Sequence, residues 1–472
     1  MANYTGGSAE AEHLCVLVHG LWGNPNHMAN IAKGLREQYS DDKLHILIAK
    51  RNSGSFTYDG IELGGERVCL EIEEELQIIE SKGGKIKKLS IVGYSLGGLV
   101  ARYAIGLLYA KGVLDQLECM NVTAFASPFL GVRTPLRGWA NQVWNVLGAR
   151  TLSESGRQLF TIDSFRDTGR PLLAVLADPN SIFMSGLAKF KRRTLYSNIV
   201  NDRSAVYYTT GIAKTDPYTD LSKIKVNYVK GYEDVVLDPV NPVSPRPAVE
   251  TQPLAARLRG WVSKVPFILA LTVLLPIATV GFLITSLVQT VRSSKRIRLH
   301  EKGLAGINTE TYRVPLLIKE IRGAVEDAYG NLNSSQNQEY LGLSDIEETD
   351  ADADADADGS GSRPADEEEA RNPDPDPDSG AGVGVGAGGK CASRMILARE
   401  RRQSQPEQPT LALTPHQFAM VEALDRVGWR KYPVWIHGHR HSHAAIIVRM
   451  DKAAFAEGKV VLRHWLGEEF LF

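Results

Sequence analysis

The sequence predicts an α/β fold, in which a mostly parallel β-sheet is covered by helices on both faces. Short, continuous apolar runs alternate along the chain with longer segments of helical periodicity, and this alternation is typical of parallel strands joined by crossover helices. In addition, the apolar run at residues 89–92 ends at Gly93, and a helical pattern begins directly after Ser95. With 472 residues, the chain is long enough for one large domain with insertions or for two domains.

Five apolar runs have the composition expected of buried strands in a parallel sheet. They lie at residues 14–18, 45–49, 89–92, 120–126 and 194–200, and residues 224–229 and 234–239 continue the domain. Amphipathic helices are predicted at residues 28–39 and 64–82, where apolar side chains recur at intervals of three or four residues. The glutamates of the second helix are expected to form its solvated face.

The sharpest motif is Gly93-Tyr94-Ser95-Leu96-Gly97, which has the spacing of a nucleophile elbow. A strand that turns abruptly into a helix holds the residue at the turn in a strained backbone conformation. The residues two before and two after it must therefore be nearly free of side chain. The hydroxyl of Ser95 would then stand exposed at a helix N-terminus, where partial positive charge favours a developing anion. The pattern predicts that Ser95 is a nucleophile.

A second loop contains backbone N–H groups that could bind an oxyanion next to Ser95. The strand at residues 14–18 ends in His19-Gly20-Leu21-Trp22, and the backbone N–H group of Leu21 or of Trp22 could hold an oxyanion together with that of Leu96. His19 precedes the serine in the chain, where a catalytic base is not expected. We interpret it as a residue that fixes the loop.

Asp202 is the predicted acid of a catalytic triad. It follows the strand at residues 194–200, and the carboxyl ends of parallel strands carry the ligands of such sheets. Other acidic residues compete for this role but lie in less regular sequence: Asp216, Asp220, Glu233, Asp234 and Asp238.

Four histidines alternate near the end of the chain and would share one face of a continuous strand. They are His437, His439, His441 and His443. Two or three imidazoles at this spacing can bind zinc, but no carboxylate ligand recurs nearby and a serine nucleophile needs no metal. We therefore predict no metal and no cofactor, with His443 as the base, since it lies nearest the following apolar run, and His441 as the reserve. The order Ser95, Asp202, His443 suits a triad.

The distribution of charge and the cysteines indicate which surface the protein binds and in which compartment it lies. The 54 basic and 55 acidic residues nearly balance, but residues 344–378 hold 15 acidic residues and two arginines, which leaves 52 basic and 40 acidic elsewhere. A basic body favours an anionic membrane surface, and no recognition motif indicates nucleic acid. Cys15, Cys69 and Cys119 fall in apolar runs, which indicates free thiols. With no secretory signal in the sequence, we expect a cytosol-facing protein that is not secreted.

Residues 265–288 form a run of 24 residues without a charged side chain, flanked by basic residues. One membrane crossing would separate Ser95 from His443. With Pro276 at the middle, two arms of about 18 Å each would suit a re-entrant hairpin that anchors the protein to a membrane or lipid droplet. The alternative is a buried cap helix broken at Pro276. Residues 136–190, helical in pattern and rich in large apolar groups, form either a cap over the substrate pocket or ordinary core.

These features divide the chain into five predicted parts. Residues 1–250 form the core with the elbow and the cap region, and residues 251–300 the apolar hairpin with its basic flanks. Residues 301–343 form a helical return segment, and residues 344–409 an acidic, low-complexity linker that cannot bury enough apolar area to order itself. Residues 410–472 complete the core and carry His443.

Several of these motifs together resemble the fungal serine esterase/lipase family of α/β-hydrolases. The matching stretches are residues 13–24, the elbow at 92–103, residues 155–160, Asn201-Asp202-Arg203 and residues 443–449. The resemblance implies a triad of Ser95, Asp202 and His443, and a phospholipase or acylglycerol lipase, in some members on lipid droplets. The alternatives are a carboxylesterase or acyl-protein thioesterase with the same triad, and a membrane-anchored binding protein with a degenerate site.

Overall fold

The computed structural model describes residues 4–133, 153–245, 265–304, 312–316, 411 and 413–472. Six strands form one sheet in the spatial order β2-β1-β3-β4-β5-β8, and every neighbouring pair is parallel. The strands are β1 (His13–Val18), β2 (Leu44–Ile48), β3 (Lys88–Tyr94), β4 (Glu118–Phe125), β5 (Arg192–Asn198) and β8 (Arg430–Val434). Two short strands, β6 (Ile224–Val226) and β7 (Val243–Pro245), pair antiparallel elsewhere. The predicted parallel sheet is confirmed.

Helices cover both faces of the six-stranded sheet. The helices of the described residues are α1 (Ala29–Gln38), α2 (Ile61–Ser81), α3 (Leu96–Ala110), α4 (Ser153–Leu159), α5 (Leu172–Leu176), α6 (Ile182–Ala188), α7 (Tyr207–Thr210), α8 (Val265–Glu301), α9 (Pro415–Arg426), α10 (Ser442–Ala445) and α11 (Ala456–His464). Side chains of β1 alternate between two cores, because successive residues of a strand point to opposite faces. Leu14 and Val16 join the core of α2 and α3, whereas Cys15 and Leu17 join that of α1 and α11.

The last strand of the sheet differs from the prediction. The alternating histidines do not extend a strand, because β8 ends at Val434, which pairs with Asn198, the final residue of β5. Directly after that pair, the Trp435 N–H donates to the Val235 carbonyl oxygen at 2.8 Å rather than to β5. The chain instead passes through a loop into α10, where His443 lies. The C-terminal segment is therefore part of the same sheet as the elbow, and His443 approaches Ser95 from the helical turn α10 rather than from a strand face.

The described part of the insertion at residues 136–190 is core rather than cap. Leu159, Phe160, Phe165, Leu173 and Phe183 are buried in the cluster that contains α2 and α3. Phe183 packs so closely on α3 that a Cβ atom at Gly106 would lie 2.2 Å from its ring. The apolar residues from Trp139 to Leu147 lie outside the described residues.

The predicted apolar hairpin at residues 265–288 is wrong. Val265–Glu301 is one continuous helix of 37 residues, which passes through Pro276 without reversing. A proline inside a helix removes one hydrogen bond and bends the axis, whereas a reversal needs turn-forming residues. Residues 274, 275 and 277, which flank Pro276, are leucine, leucine and isoleucine. Within the residues that the structure describes, none of the helices combines the length and the apolar character that crossing a membrane requires.

Asp163 carries a charge that the fold disfavours. Only 7% of the residue is exposed, Oδ2 accepts a hydrogen bond from the Leu172 N–H at 2.8 Å, and Oδ1 has no partner among the described residues. Burial raises the pKa of Asp163 to about 6. As the pH rises from about 4 to 6, the unfolded carboxyl loses its proton before the folded one does, so the free energy of unfolding falls.

We therefore expect Asp163→Asn to raise the free energy of unfolding at neutral pH by about 1–3 kcal/mol. Below about pH 4 the two proteins should be equally stable, because the carboxyl is then protonated in both states. Urea denaturation at both pH values measures the difference, and the exposed Asp167→Asn is the control. A stabilisation of the same size at both pH values would contradict the charge as its cause.

Candidate active site

The elbow holds Ser95 between β3 and α3 in a strained conformation. Its φ of 55° and ψ of −128° are rare for a residue with a side chain. The flanking glycines are needed because there is no space for a Cβ atom: at Gly93 it would lie 2.4 Å from the Gly98 Cα, and at Gly97 it would lie 2.2 Å from the Val18 carbonyl oxygen. These contacts explain the spacing from which the elbow was predicted.

Three side chains predicted from distant parts of the sequence form one hydrogen-bonded row. The His443 Nε2 atom lies 2.9 Å from the Ser95 Oγ atom, and the His443 Nδ1 atom lies 2.8 Å from the Asp202 Oδ2 atom. The imidazole can therefore donate from Nδ1 to the carboxylate while its Nε2 accepts the serine proton. This is the geometry of a nucleophile, a base and an orienting acid.

The surroundings of Asp202 keep its carboxylate ionised although the residue is buried. Its Oδ1 atom accepts hydrogen bonds from the N–H groups of Ser204, at 3.0 Å, and Ala205, at 2.9 Å. Its Oδ2 atom accepts one from the Asn198 side chain at 3.0 Å. Burial alone would raise the pKa of Asp202, but the interaction with His443 and these hydrogen bonds hold the pKa below its ordinary value.

The segment that carries His443 is fixed at three places. The Tyr94 hydroxyl donates to the His443 carbonyl oxygen at 2.8 Å, and the Ser442 hydroxyl donates to the Val200 carbonyl oxygen at 2.8 Å. The Asn30 side chain donates to the Val448 carbonyl oxygen at 2.6 Å. The sequence did not predict these supports, although Tyr94 lies inside the elbow motif. The three bonds connect the segment of His443 to the elbow, to the loop that carries Asp202 and to α1.

The structure separates the two candidates for the oxyanion donor. The Trp22 N–H donates to the Thr57 hydroxyl at 3.1 Å, so it is already engaged. The Leu21 N–H therefore remains the candidate donor from this loop. The Leu96 N–H occupies the first position of α3, where it has no intrahelical acceptor. Gly20 brings the loop against the nucleophile, since a Cβ atom there would lie 2.7 Å from the Ser95 Cβ atom.

His19 is placed as predicted for a residue that fixes this loop. It is buried, and its Nδ1 atom lies 3.1 Å from the Gly20 carbonyl oxygen. Burial lowers the pKa of His19, so the ring is neutral at neutral pH, and Nδ1 carries the proton that it donates to the carbonyl.

The remaining candidates lie away from the row. The backbone N–H of the reserve His441 donates to His439 Nδ1 at 3.0 Å, and His437 Nε2 lies 2.8 Å from the Asp234 carbonyl oxygen. The competing carboxylates of Asp216, Asp220 and Asp238 accept hydrogen bonds from backbone N–H groups within their own turns, and that of Glu233 does the same. Across the residues that the structure describes, no three His, Cys, Asp or Glu side chains are grouped to hold a metal ion.

Comparison with known proteins identifies a matching family and two relatives in yeast. Residues 8–216 match the family described as Putative serine esterase (DUF676). The resemblance predicted from the motifs is confirmed. Over 230 residues the chain is 30% identical to Putative lipase ROG1 of Saccharomyces cerevisiae, a match that covers 46% of this chain and 32% of that protein. Putative lipase YDL109C of the same yeast is 29% identical over 222 residues, again 46% of this chain and 32% of that protein.

The matches cover only part of each protein, and the similarity to solved structures is low. The chain spans about a third of the length of the two yeast proteins that it matches. Among solved structures, an alpha/beta hydrolase fold protein from Nakamurella multipartita aligns with a TM-score of 0.22 and 11% identity, over 43% of this chain and 80% of that one. The assignment of the fold rests instead on the parallel strand order and the elbow between β3 and α3.

Proposed function

We propose that this protein is a lipid hydrolase that cleaves carboxylic esters through an acyl-enzyme on Ser95. The observation that carries the proposal is the 2.9 Å separation between the Ser95 Oγ and His443 Nε2 atoms, with Asp202 on the far side of the ring. At this distance the imidazole is within hydrogen-bond reach of the serine hydroxyl, as a general base must be. The similarity to a serine esterase family supports the same chemistry.

In the first half of the reaction, His443 Nε2 takes the proton from Ser95 Oγ as that oxygen attacks the ester carbonyl carbon. The negative charge that develops on the carbonyl oxygen is held by the N–H groups of Leu21 and Leu96. Asp202 keeps Nδ1 protonated and stabilises the imidazolium. The imidazolium then gives its proton to the alkoxide that leaves, and the acyl group remains on Ser95.

In the second half, water resolves the acyl-enzyme by the same groups. His443 takes a proton from the water molecule as its oxygen attacks the acyl carbon, and Leu21 and Leu96 again hold the oxyanion. The carboxylic acid leaves when His443 returns the proton to Ser95 Oγ. Each proton that the imidazole takes is given back within the same half-reaction, so no cofactor is required.

A lipid is the proposed substrate, and the cytosolic face of a lipid droplet or endoplasmic reticulum membrane the proposed location. Both yeast relatives carry the word lipase in their names. The apolar run at residues 265–288 and the excess of basic residues outside the acidic segment also favour an interface over a soluble ester. We propose that the helix containing residues 265–288 provides this attachment.

The test compares the protein with its Ser95→Ala variant on emulsified phospholipid or acylglycerol and on a short, monomeric ester. We expect the variant to lose activity about 10⁴-fold or more and to escape labelling by a fluorophosphonate, because no other group supplies the nucleophile. Ser81→Ala, at the end of α2, is the control.

Two outcomes would contradict the proposal. Undiminished lipid turnover by purified Ser95→Ala protein would exclude this nucleophile. Turnover of monomeric esters alone would make the protein a soluble-ester or thioester hydrolase. The same two proteins, followed by cell fractionation, should both remain with membranes or droplets, since attachment does not involve Ser95. Recovery in the cytosolic fraction alone would reject the proposed location.

A further inference from the structure

The C-terminal half of α8 is attached to the protein through polar contacts. The Ser293 hydroxyl donates to Asp59 Oδ1 at 2.8 Å, and the guanidinium of Arg296 contacts both carboxylate oxygens of Asp59 at 2.7 to 3.0 Å. His300, one turn further, pairs with Glu66 of α2. Ser293 and His300 are buried, and the Asp59 carboxylate is fully enclosed. The inner face of this helix is therefore polar.

The outer face of the same helix is apolar. Ile284, Leu287, Val288 and Val291 follow helical spacing, and they expose 61, 66, 43 and 62% of their surface. Seven of the fifteen large apolar side chains that the described residues expose lie between residues 283 and 304, so the exposure is clustered rather than scattered. A helix on a protein in water normally buries its apolar face and exposes its polar one. Here the distribution is inverted, which indicates that the outer face does not meet water.

Exposed basic residues follow this apolar stripe along α8. Arg292, Lys295, Arg298 and Lys302 are exposed, and Glu301 is the one acidic residue among the exposed side chains from 283 to 302. At about 100° per residue, Lys295 and Lys302 lie on the same side of the helix as Val288 and Val291. Apolar side chains followed by basic ones on one helix face are typical of segments that enter an anionic lipid surface.

A cavity of about 530 Å³ lies beside this face, between the helix and the loop that follows β2. Five of the residues that line it are basic, and among the described lining residues none is acidic: Lys50, Arg51, Arg67, Arg296 and His300. Leu299, on the outer face of the helix, is part of its wall. The cavity therefore opens beside the apolar stripe and is suited to an anionic group.

The charges in this cavity are only partly compensated. Arg51 pairs with Glu74 and His300 with Glu66, whereas the carboxylate of Asp59 is shared between the guanidinium groups of Arg67 and Arg296. Both guanidiniums also lie over the ring of Phe56, at 5.1 and 4.9 Å from its centre, so two positive groups are held close together. The buried Nδ1 atom of His300 has no hydrogen-bond partner among the described residues. The negative charge of a phosphate would compensate the two guanidinium groups that now share one carboxylate.

We propose that the outer face of α8, residues 283–302, binds an anionic phospholipid surface, with a headgroup phosphate held in the cavity by Lys50, Arg67 and Arg296. The inference deepens the proposed function by naming the surface at which the lipid substrate is met, but the binding itself needs no contribution from Ser95. The apolar side chains enter the acyl region, and the exposed lysines and arginines remain at the level of the headgroups.

A second copy of this chain is the other possible cover for the apolar stripe, and the charges argue against it. Two such faces would bring eight exposed basic side chains into one contact, with only two glutamates to compensate them. An anionic lipid surface supplies the opposite charge.

The experiment uses the full chain with Ser95→Ala, so that bound lipid is not degraded, and measures flotation with phosphatidylcholine vesicles that contain or lack phosphatidic acid. We expect phosphatidic acid to strengthen binding. Lys50→Gln with Lys295→Gln should weaken binding to the anionic vesicles about fivefold for each lysine and leave binding to neutral vesicles unchanged. The exposed Lys225→Gln, on β6, is the matched control.

Ile284→Gln with Leu287→Gln tests the apolar stripe in the same assay. Both side chains are more than half exposed, so the fold should be unaffected, and binding to both kinds of vesicle should weaken about tenfold for each residue. All variants, prepared again with Ser95 present, should hydrolyse a monomeric ester at the normal rate. Vesicle binding without any ester hydrolysis would reject the proposed function and leave this inference intact.

Three results would overturn the inference. The first is vesicle binding that responds neither to phosphatidic acid nor to the lysine substitutions. The second is an absence of vesicle binding together with self-association that Leu287→Gln abolishes, which would assign the stripe to a second copy. The third is binding of inorganic phosphate in the cavity without binding of vesicles, which would make it a site for a soluble phosphate.

Discussion

Asp202→Asn should lower kcat for ester hydrolysis about 10⁴-fold while leaving KM nearly unchanged. The carboxylate contacts the base and not the substrate. In the variant, the N–H groups of Ser204 and Ala205 would keep the new amide oxygen where Oδ1 now lies. The new amide nitrogen would then face His443 Nδ1, which could only accept a hydrogen bond from it. His443 would carry its own proton on Nε2 and could not take that of Ser95.

The same variant should remain folded. Asn198 now donates to Asp202 Oδ2 and has a buried Oδ1 atom without a partner among the described residues, so its amide can turn over and accept from the new amide nitrogen. The matched control is Asp216→Asn, because Asp216 competes for the role of the acid in sequence and caps its own turn through the Tyr218 N–H. Steady-state kinetics on a monomeric ester measures kcat of each variant, and thermal denaturation shows whether each variant is folded. An equal loss of kcat in both variants would reject Asp202 as the orienting acid.

The hydrogen-bonded row was predictable because each member follows from a local rule. Gly93 and Gly97 identify the elbow because there is no space for a side chain at either position. Asp202 lies four residues after the end of β5, at the carboxyl edge of the parallel sheet, where functional side chains usually lie. The histidine was harder, since four alternate in sequence. His443 is the histidine whose ring lies between Ser95 and Asp202. The reason given for choosing it was wrong, because His443 lies in a helical turn and not next to a strand.

Other features depend on contacts that no local pattern encodes. The Trp22 N–H is engaged by Thr57, 35 residues away in the chain, and only that bond favours Leu21 over Trp22 as the candidate donor. The apolar run at residues 265–288 looks alike in sequence whether it reverses at Pro276 or continues. What distinguishes the two is the attachment of the following turns to Asp59, more than 200 residues earlier.

The segment from Gly54 to Asp59 connects the two parts of the molecule that the proposals concern. Thr57 and Tyr58 hold the oxyanion loop, through the Trp22 N–H at 3.1 Å and the Trp22 indole N–H at 2.6 Å. Asp59, the next residue, receives Ser293 and Arg296 of α8. Contacts between α8 and the loop that positions the Leu21 N–H therefore pass through three consecutive residues. The proposed lipid-binding helix and the proposed oxyanion donor share one support.

Gly20→Ala tests that oxyanion loop directly and should lower kcat about 10²- to 10³-fold. The new methyl group would lie 2.7 Å from the Ser95 Cβ atom and 3.0 Å from the Tyr94 carbonyl oxygen. The elbow is fixed between β3 and α3, so the loop must move away from the nucleophile. The Leu21 N–H moves with it and leaves the position where it could hold the oxyanion. Hydrolysis of a monomeric ester measures the loss.

A stability measurement distinguishes a lower kcat caused by displacement of the loop from one caused by unfolding. Overpacking at this position should cost about 1–3 kcal/mol of stability, which thermal denaturation detects, and the protein should remain folded at the temperature of the assay. Gly467→Ala is the matched control, because its Cβ atom would meet only the Tyr232 hydroxyl, at an ordinary 3.4 Å. If folded Gly20→Ala protein kept the kcat of the control, the backbone N–H after Gly20 could not be the donor that holds the oxyanion, and stabilisation of the negative charge would have to come from elsewhere around Ser95.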